Sequence, residues 1–239
     1  MERIDLYRGK GLDIYEEAHY GRGEHLAEVA QILSWYPLKS GRLLDLGCSG
    51  GLHALEFARH GFRVTGVDAE PSAIERARQR SLQEGVAVDL RVLELGRDPL
   101  APLGRFDLIY GIGNVLAHLH KTEFAEVLKE IRGMLSPAGV FLCDLIMIGE
   151  EFPPEVREDG LGIVWHRSLD RATGRIRLTG DFSKAGVRQA FQVWGYTRDE
   201  AVTIFSRAGF EEIEYATGLD FGDRGAVSGN PVCLRFRCR

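Results

Sequence analysis

The spacing of apolar positions along this chain changes several times, and each change marks an element. Between Glu24 and Trp35 the residues Leu26, Val29, Ala30 and Leu33 fall at i, i+3, i+4 and i+7, the spacing of one helical face. From Gly41 onward, short apolar runs alternate with helical stretches. Arg42–Leu46, Phe62–Val67, Val86–Leu93, Phe106–Gly111 and Val140–Ile146 read as strands. Leu52–His60, Pro71–Glu84 and Lys121–Leu135 read as helices, the second with proline in its first turn. The third stops at Ser136-Pro-Ala-Gly139. Strands and helices alternating at this spacing imply right-handed βαβ crossovers and a mostly parallel sheet.

After about Gly149 the rhythm changes. Leu161–Ser168 and Arg175–Phe182 read as an antiparallel hairpin, and Arg188–Tyr196 as a third strand beside it. Asp199–Ala208 reads as a helix ended by Gly209, followed by strands at Glu211–Ala216 and Val232–Arg237. The expected fold class is α/β. We expect a Rossmann-like, doubly wound, mostly parallel sheet of seven strands, with helices on both faces and a small antiparallel insertion. It is expected as a single domain over residues 1–239: a helical arm (1–40), a ligand-binding core (41–148), an antiparallel flap (149–196), and a last helix with two strands (197–239). No flexible linker separates the flap from the core.

Composition narrows the function. Of 239 residues, 44% are hydrophobic and 27% charged, ordinary usage for a globular chain. The formal net charge of −5 argues against a protein that grips nucleic acid by counterion release. Cys48, Cys143, Cys233 and Cys238 form no C-x-x-C pair, and Cys233 and Cys238 fall on opposite faces of a strand. All four read as reduced thiols of a cytoplasmic protein. The N-terminus shows no apolar core of a signal peptide, and no run is long and apolar enough to span a bilayer. The histidines and cysteines lack ligand spacing, so no metal is expected.

Leu43-Leu-Asp-Leu-Gly-Cys-Ser-Gly-Gly51 carries the most chemistry. It joins a strand to a helix, where glycines let the backbone approach a ligand and the helix start offers free amides. The run resembles the first motif of class I S-adenosylmethionine-dependent methyltransferases, usually D-x-G-x-G-x-G. Asp45, Gly47 and Gly51 match it; Ser49 stands where the middle glycine is usual. The resemblance implies that this loop, with Cys48, binds S-adenosylmethionine. A dinucleotide site would need G-x-G-x-x-G, which the loop lacks, and Asp45 would repel a pyrophosphate. Val64-Thr-Gly-Val-Asp68 is a strand ending in a carboxylate, suited to ribose hydroxyls, with Ala69 beside it; an Asp there also suits a helix cap. By the same resemblance Glu94 and Leu95 lie near the adenine, with Asp98 as the other candidate.

The run Phe106-Asp-Leu-Ile-Tyr-Gly-Ile-Gly-Asn-Val-Leu-Ala-His-Leu119 is similar to that of small-molecule N-methyltransferases of the glycine/sarcosine and amino-sugar types. It implies a cofactor contact at Gly111, a contact to the cofactor or the substrate at Asn114, and a base at His118. Tyr15-Glu-Glu-Ala-His-Tyr-Gly-Arg-Gly23 is similar to the aromatic segment that closes over the cofactor in the same enzymes. Tyr20 would then pack by the sulfonium, Arg22 would pair with the methionine carboxylate, and Tyr15 would line the acceptor pocket. The stretch after the fifth strand lacks the arginine that glycine N-methyltransferases use for the amino-acid carboxylate. Acceptor contacts are therefore expected from the flap, with Trp165, His166, Arg167, Phe191 and Trp194 as candidates. The expected function is methyl transfer from S-adenosylmethionine to a small-molecule acceptor, at nitrogen. The alternatives are O-methylation of a small acid or hydroxyl compound, an RNA or protein methyltransferase, and a non-catalytic S-adenosylmethionine-binding module.

Overall fold

Leu43 and Leu44, adjacent in the chain, are both fully buried but on opposite faces of a sheet, as strand alternation requires. Leu43 packs with Val64, Leu108, Phe57 and Val29 on one side. Leu44 packs with Val67, Ile109, Phe124 and Phe205 on the other. A sheet buried on both faces needs helices on both, and the computed structural model supplies them. It describes residues 1–35, 39–216 and 232–237, the side chains of Trp35, 212–216 and 232–237 excepted.

The chain opens with β1 (Glu2–Arg3), α1 (Lys10–Tyr20) and α2 (Glu24–Trp35). The alternating core follows: β2 (Gly41–Leu46), α3 (Leu52–Arg59), β3 (Phe62–Asp68), α4 (Pro71–Glu84), β4 (Asp89–Val92), β5 (Phe106–Gly111), α5 (Lys121–Met134) and β6 (Leu135–Met147). Then come β7 (Glu155–Glu158), β8 (Ile163–Asp170), β9 (Arg175–Phe182), β10 (Val187–Tyr196), α6 (Arg198–Arg207), β11 (Glu212–Ala216) and β12 (Val232–Arg237).

The strands β4-β3-β2-β5-β6 run parallel in that order. β12 adds antiparallel to β6, and β11 antiparallel to β12. This is the expected Rossmann-like seven-stranded sheet. The chain steps from β2 outward to β3 and β4, then returns from β4 to β5 on the other side of β2, so a crevice opens above the C-terminal ends of β2 and β5. Ligands of open α/β sheets bind at such a switch point.

Two elements depart from the expected bounds. β4 starts only at Asp89, because α4 ends in a left-handed cap at Gly85 (φ +65°). β6 starts directly after α5, at Leu135. Its pairing with β5 jumps from Phe106↔Leu135 to Leu108↔Val140, so residues 136–139 form a bulge rather than a loop before the strand.

The flap is an antiparallel run β10-β9-β8-β7, and it continues the core sheet. Gly195 and Tyr196 at the end of β10 pair in parallel with Ile146 and Met147 at the end of β6. At its other end β10 pairs with β1, which ties the N-terminus to the flap. Cys48 and Cys143 are buried free thiols, whereas the Cys233 side chain and Cys238 lie outside the described residues. No described helix is long and apolar enough to cross a membrane.

Candidate active site

β2 ends at Leu46, and the chain turns through positive φ at Gly47 (+71°), Ser49 (+48°) and Gly51 (+81°) before α3. The amides of Gly47 and Cys48 both donate to the Val67 carbonyl of β3, at 2.8 and 2.9 Å. The space is tight: a Cβ added to Gly47 would stand 2.6 Å from Cγ2 of Val115, and one on Gly51 2.8 Å from Cβ of Ala77. Glycine is required at both by backbone angle and by room. Asp68, at the end of β3, accepts from the Ser49 amide on Oδ2 and from the Glu70 amide on Oδ1, each at 2.9 Å. The cap of α4 is Glu70, whose carboxylate accepts from the Ser72 amide. Asp68 thus holds the glycine loop and keeps its remaining lone pairs toward the crevice.

The crevice is a cavity of about 470 Å³, within the usual range for small-ligand sites. Tyr15, Tyr20, Asp45, Gly47, Cys48, Asp68, Ala69, Glu94, Leu95 and His118 all line it. Gly51, Gly111 and Asn114 sit behind its wall. Gly51 lets α3 meet α4, Gly111 backs onto Leu46, and Asn114 (φ +62°) starts the short 3-10 turn Val115–His118. Arg22 lies elsewhere. Its side chain is exposed and borders a smaller hollow of about 210 Å³ between α1 and the flap, with Glu17 and Lys184. Asp98 is turned into its own loop, accepting from the Glu94 amide at 2.8 Å. The Glu94 carboxylate pairs with Arg97 at the rim.

One end of the cavity is strongly polar. Burial pushes the Asp45 carboxyl up to about 7, with the facing Tyr110 hydroxyl and His53 pulling the other way. Asp45 Oδ2 and the Tyr110 hydroxyl are buried with no partner of good geometry among the described residues. Behind them His53 Nε2 meets Glu28 Oε2 at 2.6 Å, and the Tyr20 ring packs edge-on against His53. Glu28, His53 and Tyr110 escaped the motif reading. Glu28 left a signal: it is a carboxylate one turn before Ile32, on the buried face of an otherwise apolar stripe.

The other end is aromatic. The His118 ring faces the cavity, stacked on Phe191 at 5.5 Å and met edge-on by Tyr7 at 5.8 Å. Burial lowers its pKa below that of an ordinary histidine. The turn that carries it is held from β6 by Asp144, which accepts from the Gly113 and Asn114 amides at 2.9 and 2.8 Å. Burial raises the Asp144 carboxyl to about 6 against those two hydrogen bonds. Over the cavity lies α1, latched to α4 by Asp13 and Glu16 pairing with Arg76 and Arg80.

A glycine loop at a switch point, an acidic strand end beside it and a third acidic loop make up one nucleoside-sized crevice. Residues 43–139, which supply those parts, match the family described as "Methyltransferase domain". The match spans 97 of the 239 residues. Within it lie the glycine loop, Asp68, Glu94 and His118; the arm and the flap lie outside. Among curated relatives, a ubiquinone biosynthesis O-methyltransferase of Cereibacter sphaeroides is 35% identical over 111 residues, 46% of this chain and 43% of the relative. Another, of Paramagnetospirillum magneticum, is 35% identical over 125 residues, 52% of this chain and 45% of the relative. The aligned part spans less than half the length of these relatives.

Solved structures extend the likeness to the whole chain. An amino pentose methyltransferase of Micromonospora echinaspora, solved with S-adenosylmethionine bound, has a TM-score of 0.69 at 23% identity and covers 99% of this chain and 100% of its own. A sugar N-methyltransferase of Streptoalloteichus sp. has a TM-score of 0.69 at 16% identity, over 100% of this chain and 96% of its own. The fold of the chain, flap included, is that of class I S-adenosylmethionine-dependent methyltransferases.

Against the core, the flap places its expected residues unequally. Phe191 stacks on His118, and Trp165 packs edge-on against Phe191 while its indole donates to Glu158. Trp194 packs on His120, and His166 pairs with Glu155 and Asp181. Arg167 lies on the same strand face as Trp165.

Proposed function

We propose that this chain transfers a methyl group from S-adenosylmethionine to a nucleophilic atom of a small-molecule acceptor, with nitrogen the favoured atom. The observation that carries this reading is a single cavity with an unpaired, buried Asp45 oxygen and Asp68 at one end and His118 at the other. Asp45 Oδ2 suits the ammonium of a methionine moiety, which would supply the missing counter-charge. Asp68 suits paired ribose hydroxyls, and Glu94 and Leu95 border the adenine region. Tyr20 places an aromatic ring near the same end, suited to a sulfonium.

S-adenosylmethionine supplies a methyl carbon on a sulfonium, whose C–S bond breaks with its electrons going to sulfur as the acceptor's lone pair bonds to carbon. The protein's part is alignment and desolvation. Asp144 fixes the turn that carries His118. The neutral His118 imidazole takes the proton that an amine or hydroxyl acceptor must lose. Tyr7 and Phe191 hold that ring in place and exclude water.

The cavity continues beyond the cofactor residues to Tyr7 and His118, leaving room for a second reactant, which favours an enzyme over a binding module. Nitrogen is favoured because the sugar N-methyltransferase likeness spans the whole chain, flap included, whereas the O-methyltransferase relatives align over about half of it. Calorimetric titration with S-adenosylmethionine and with NAD tests the reading. Binding of the first alone, followed by mass-spectrometric detection of one added methyl group on an amine acceptor, is expected. Absence of S-adenosylmethionine binding by folded protein would overturn it.

A further inference from the structure

Four rings that line the crevice stand in a row, Tyr20, Tyr15, Tyr7 and His118. Tyr20, beside His53 at the Asp45 end, is 6.2 Å from Tyr15 between centroids. Tyr15 is 5.7 Å from Tyr7, and Tyr7 is 5.8 Å from His118. Neighbouring planes meet at 70°, 59° and 88°, so the rings form corners rather than one stack. Two consecutive residues of the arm divide the work: Leu6 is fully buried against Ile163, Phe182 and Val187 of the flap, while Tyr7 lines the crevice. The Tyr7 amide donates to the Asp5 carboxylate at 3.0 Å, which fixes the chain there. Burial pushes the Tyr7 hydroxyl up, and the Tyr15 hydroxyl up to about 12, so both rings stay neutral. A neutral aromatic ring attracts a cation to its face, the more so away from water.

Charge around the row points the same way. Among the described residues, the arginines that line the crevice are Arg8 and Arg97, and no lysine lines it. Arg8 is matched by Glu70 at 2.8 Å and Asp5 at 3.4 Å, and Arg97 by Glu94 at 3.1 Å. Carboxylates outnumber these two cations, since Asp68 and Glu123 are on the lining as well. A cleft lined by one sign of charge concentrates ions of the other sign. An anionic reactant meets only arginines that a carboxylate already holds, whereas a cationic one meets rings and carboxylates throughout.

We propose that the methyl acceptor is a small aliphatic amine that enters as its ammonium ion and carries no anionic group, with Tyr7 and Tyr15 as the rings that receive it. The inference rests on the proposed function for the source of the methyl group and narrows its acceptor. Tyr7 stands between Tyr15 and His118, so an ammonium held on Tyr7 has the imidazole as its next neighbour. The ammonium passes one proton to the neutral His118 ring and regains a lone pair. That pair bonds to the methyl carbon as the C–S electrons go to sulfur, and the methylated amine is again a cation. Before the proton leaves, ammonium and sulfonium repel each other across the crevice. The ring row and the carboxylates of the lining offset that repulsion and let the two cations approach.

Calorimetry on protein saturated with S-adenosylhomocysteine tests this with probes of similar shape and different charge: choline, its uncharged carbon isostere tert-butylethanol, and the tert-butylacetate anion. Choline is expected to bind about tenfold more tightly than tert-butylethanol, the worth of a partly desolvated cation on aromatic rings. The anion is expected not to bind. Tyr7→Leu is expected to abolish the preference for positive charge and Tyr7→Phe to keep it, because the ring supplies it and the hydroxyl does not. Choline binding no tighter than the alcohol, or tert-butylacetate binding as tightly as choline, would overturn the ammonium assignment. A preference that survives Tyr7→Leu would overturn the role of Tyr7. If Tyr7→Leu fails to fold, the wild-type comparison still decides. Failure of S-adenosylhomocysteine to bind folded wild-type protein would instead defeat the proposed function.

Discussion

The amide of Ser49 donates to the carboxylate of Asp68 at 2.9 Å, so the strand that ends in Asp68 clamps the glycine loop of its neighbour. One carboxylate both shapes the loop and offers lone pairs to a ligand. Asp68→Ala is expected to lower S-adenosylmethionine affinity by about 10- to 100-fold and to destabilise the ligand-free fold by about 1–3 kcal/mol. Titration calorimetry and urea unfolding read the two effects separately. An unchanged affinity would remove Asp68 from the binding site.

Asp45 gives a pH signature. Burial raises its carboxyl from 3.8 to about 7 in the folded, ligand-free protein. A raised folded-state value means its contribution to stability is full below about 4 and is lost as pH rises through about 7. The stability difference between wild type and Asp45→Asn should therefore shift against wild type between pH 5 and pH 8. Affinity for S-adenosylmethionine should move the opposite way in wild type, rising with pH through about 7, and be weak and flat in Asp45→Asn. Binding near pH 6 should release a proton, seen as a buffer-dependent heat.

His118 separates rate from binding. Replacing it with Gln should lower kcat by about 10²- to 10⁴-fold while leaving S-adenosylmethionine affinity intact. Because burial lowers its pKa, the wild-type rate should fall off on the acid side below the ordinary histidine range. A His118→Gln enzyme that keeps the wild-type rate and acid limb would place the base elsewhere.

Gly47 tests the loop's geometry. Its φ of +71° and the 2.6 Å approach of Val115 to any added Cβ make Gly47→Ala strained in two ways. The expected loss is about 1–3 kcal/mol of stability with weakened cofactor binding. The double variant with Val115→Ala should recover part of it, since Val115 supplies the steric half of the conflict.

The latch between α1 and α4 is electrostatic. Arg80 and Glu16 meet at 2.9 Å with 21% and 14% of their side chains exposed, enough burial to matter and enough water to screen. Arg80→Ala should speed cofactor release, and added salt should do so in wild type but little in the variant. Stopped-flow displacement of S-adenosylhomocysteine measures both.

The parallel core was legible because its signals are local and repeated. Pro71 and Gly85 bracket α4, and Phe106–Gly111 is an apolar run bounded by polar residues. β1 and β7 were missed because two and four residues carry no periodicity. The bulge at 136–139 was read as a loop, since Ser-Pro-Ala-Gly carries every turn signal and only the pairing with β5 tells otherwise. In the crevice, the loop residues that line it carry a motif, whereas Glu28, Tyr110 and Asp144 carry none. Each acts through a neighbour distant in sequence: Glu28 through His53, Tyr110 beside Asp45, Asp144 through the amides of Gly113 and Asn114. Their burial is what makes them informative, and burial is a property of the packed chain.

The joint between β10 and β6 bears on traffic. Because Gly195 and Tyr196 hydrogen-bond into the end of β6, the flap is a continuation of the core's own ladder rather than a hinged cover. Swinging it aside would break backbone hydrogen bonds that the core depends on. The N-terminal residues, by contrast, are held over the mouth by side-chain ion pairs, one short strand and the packing of Leu6 on Ile163, Phe182 and Val187 of the flap. Opening the crevice on the arm's side disturbs less of the core sheet, so that side is the expected route for a ligand.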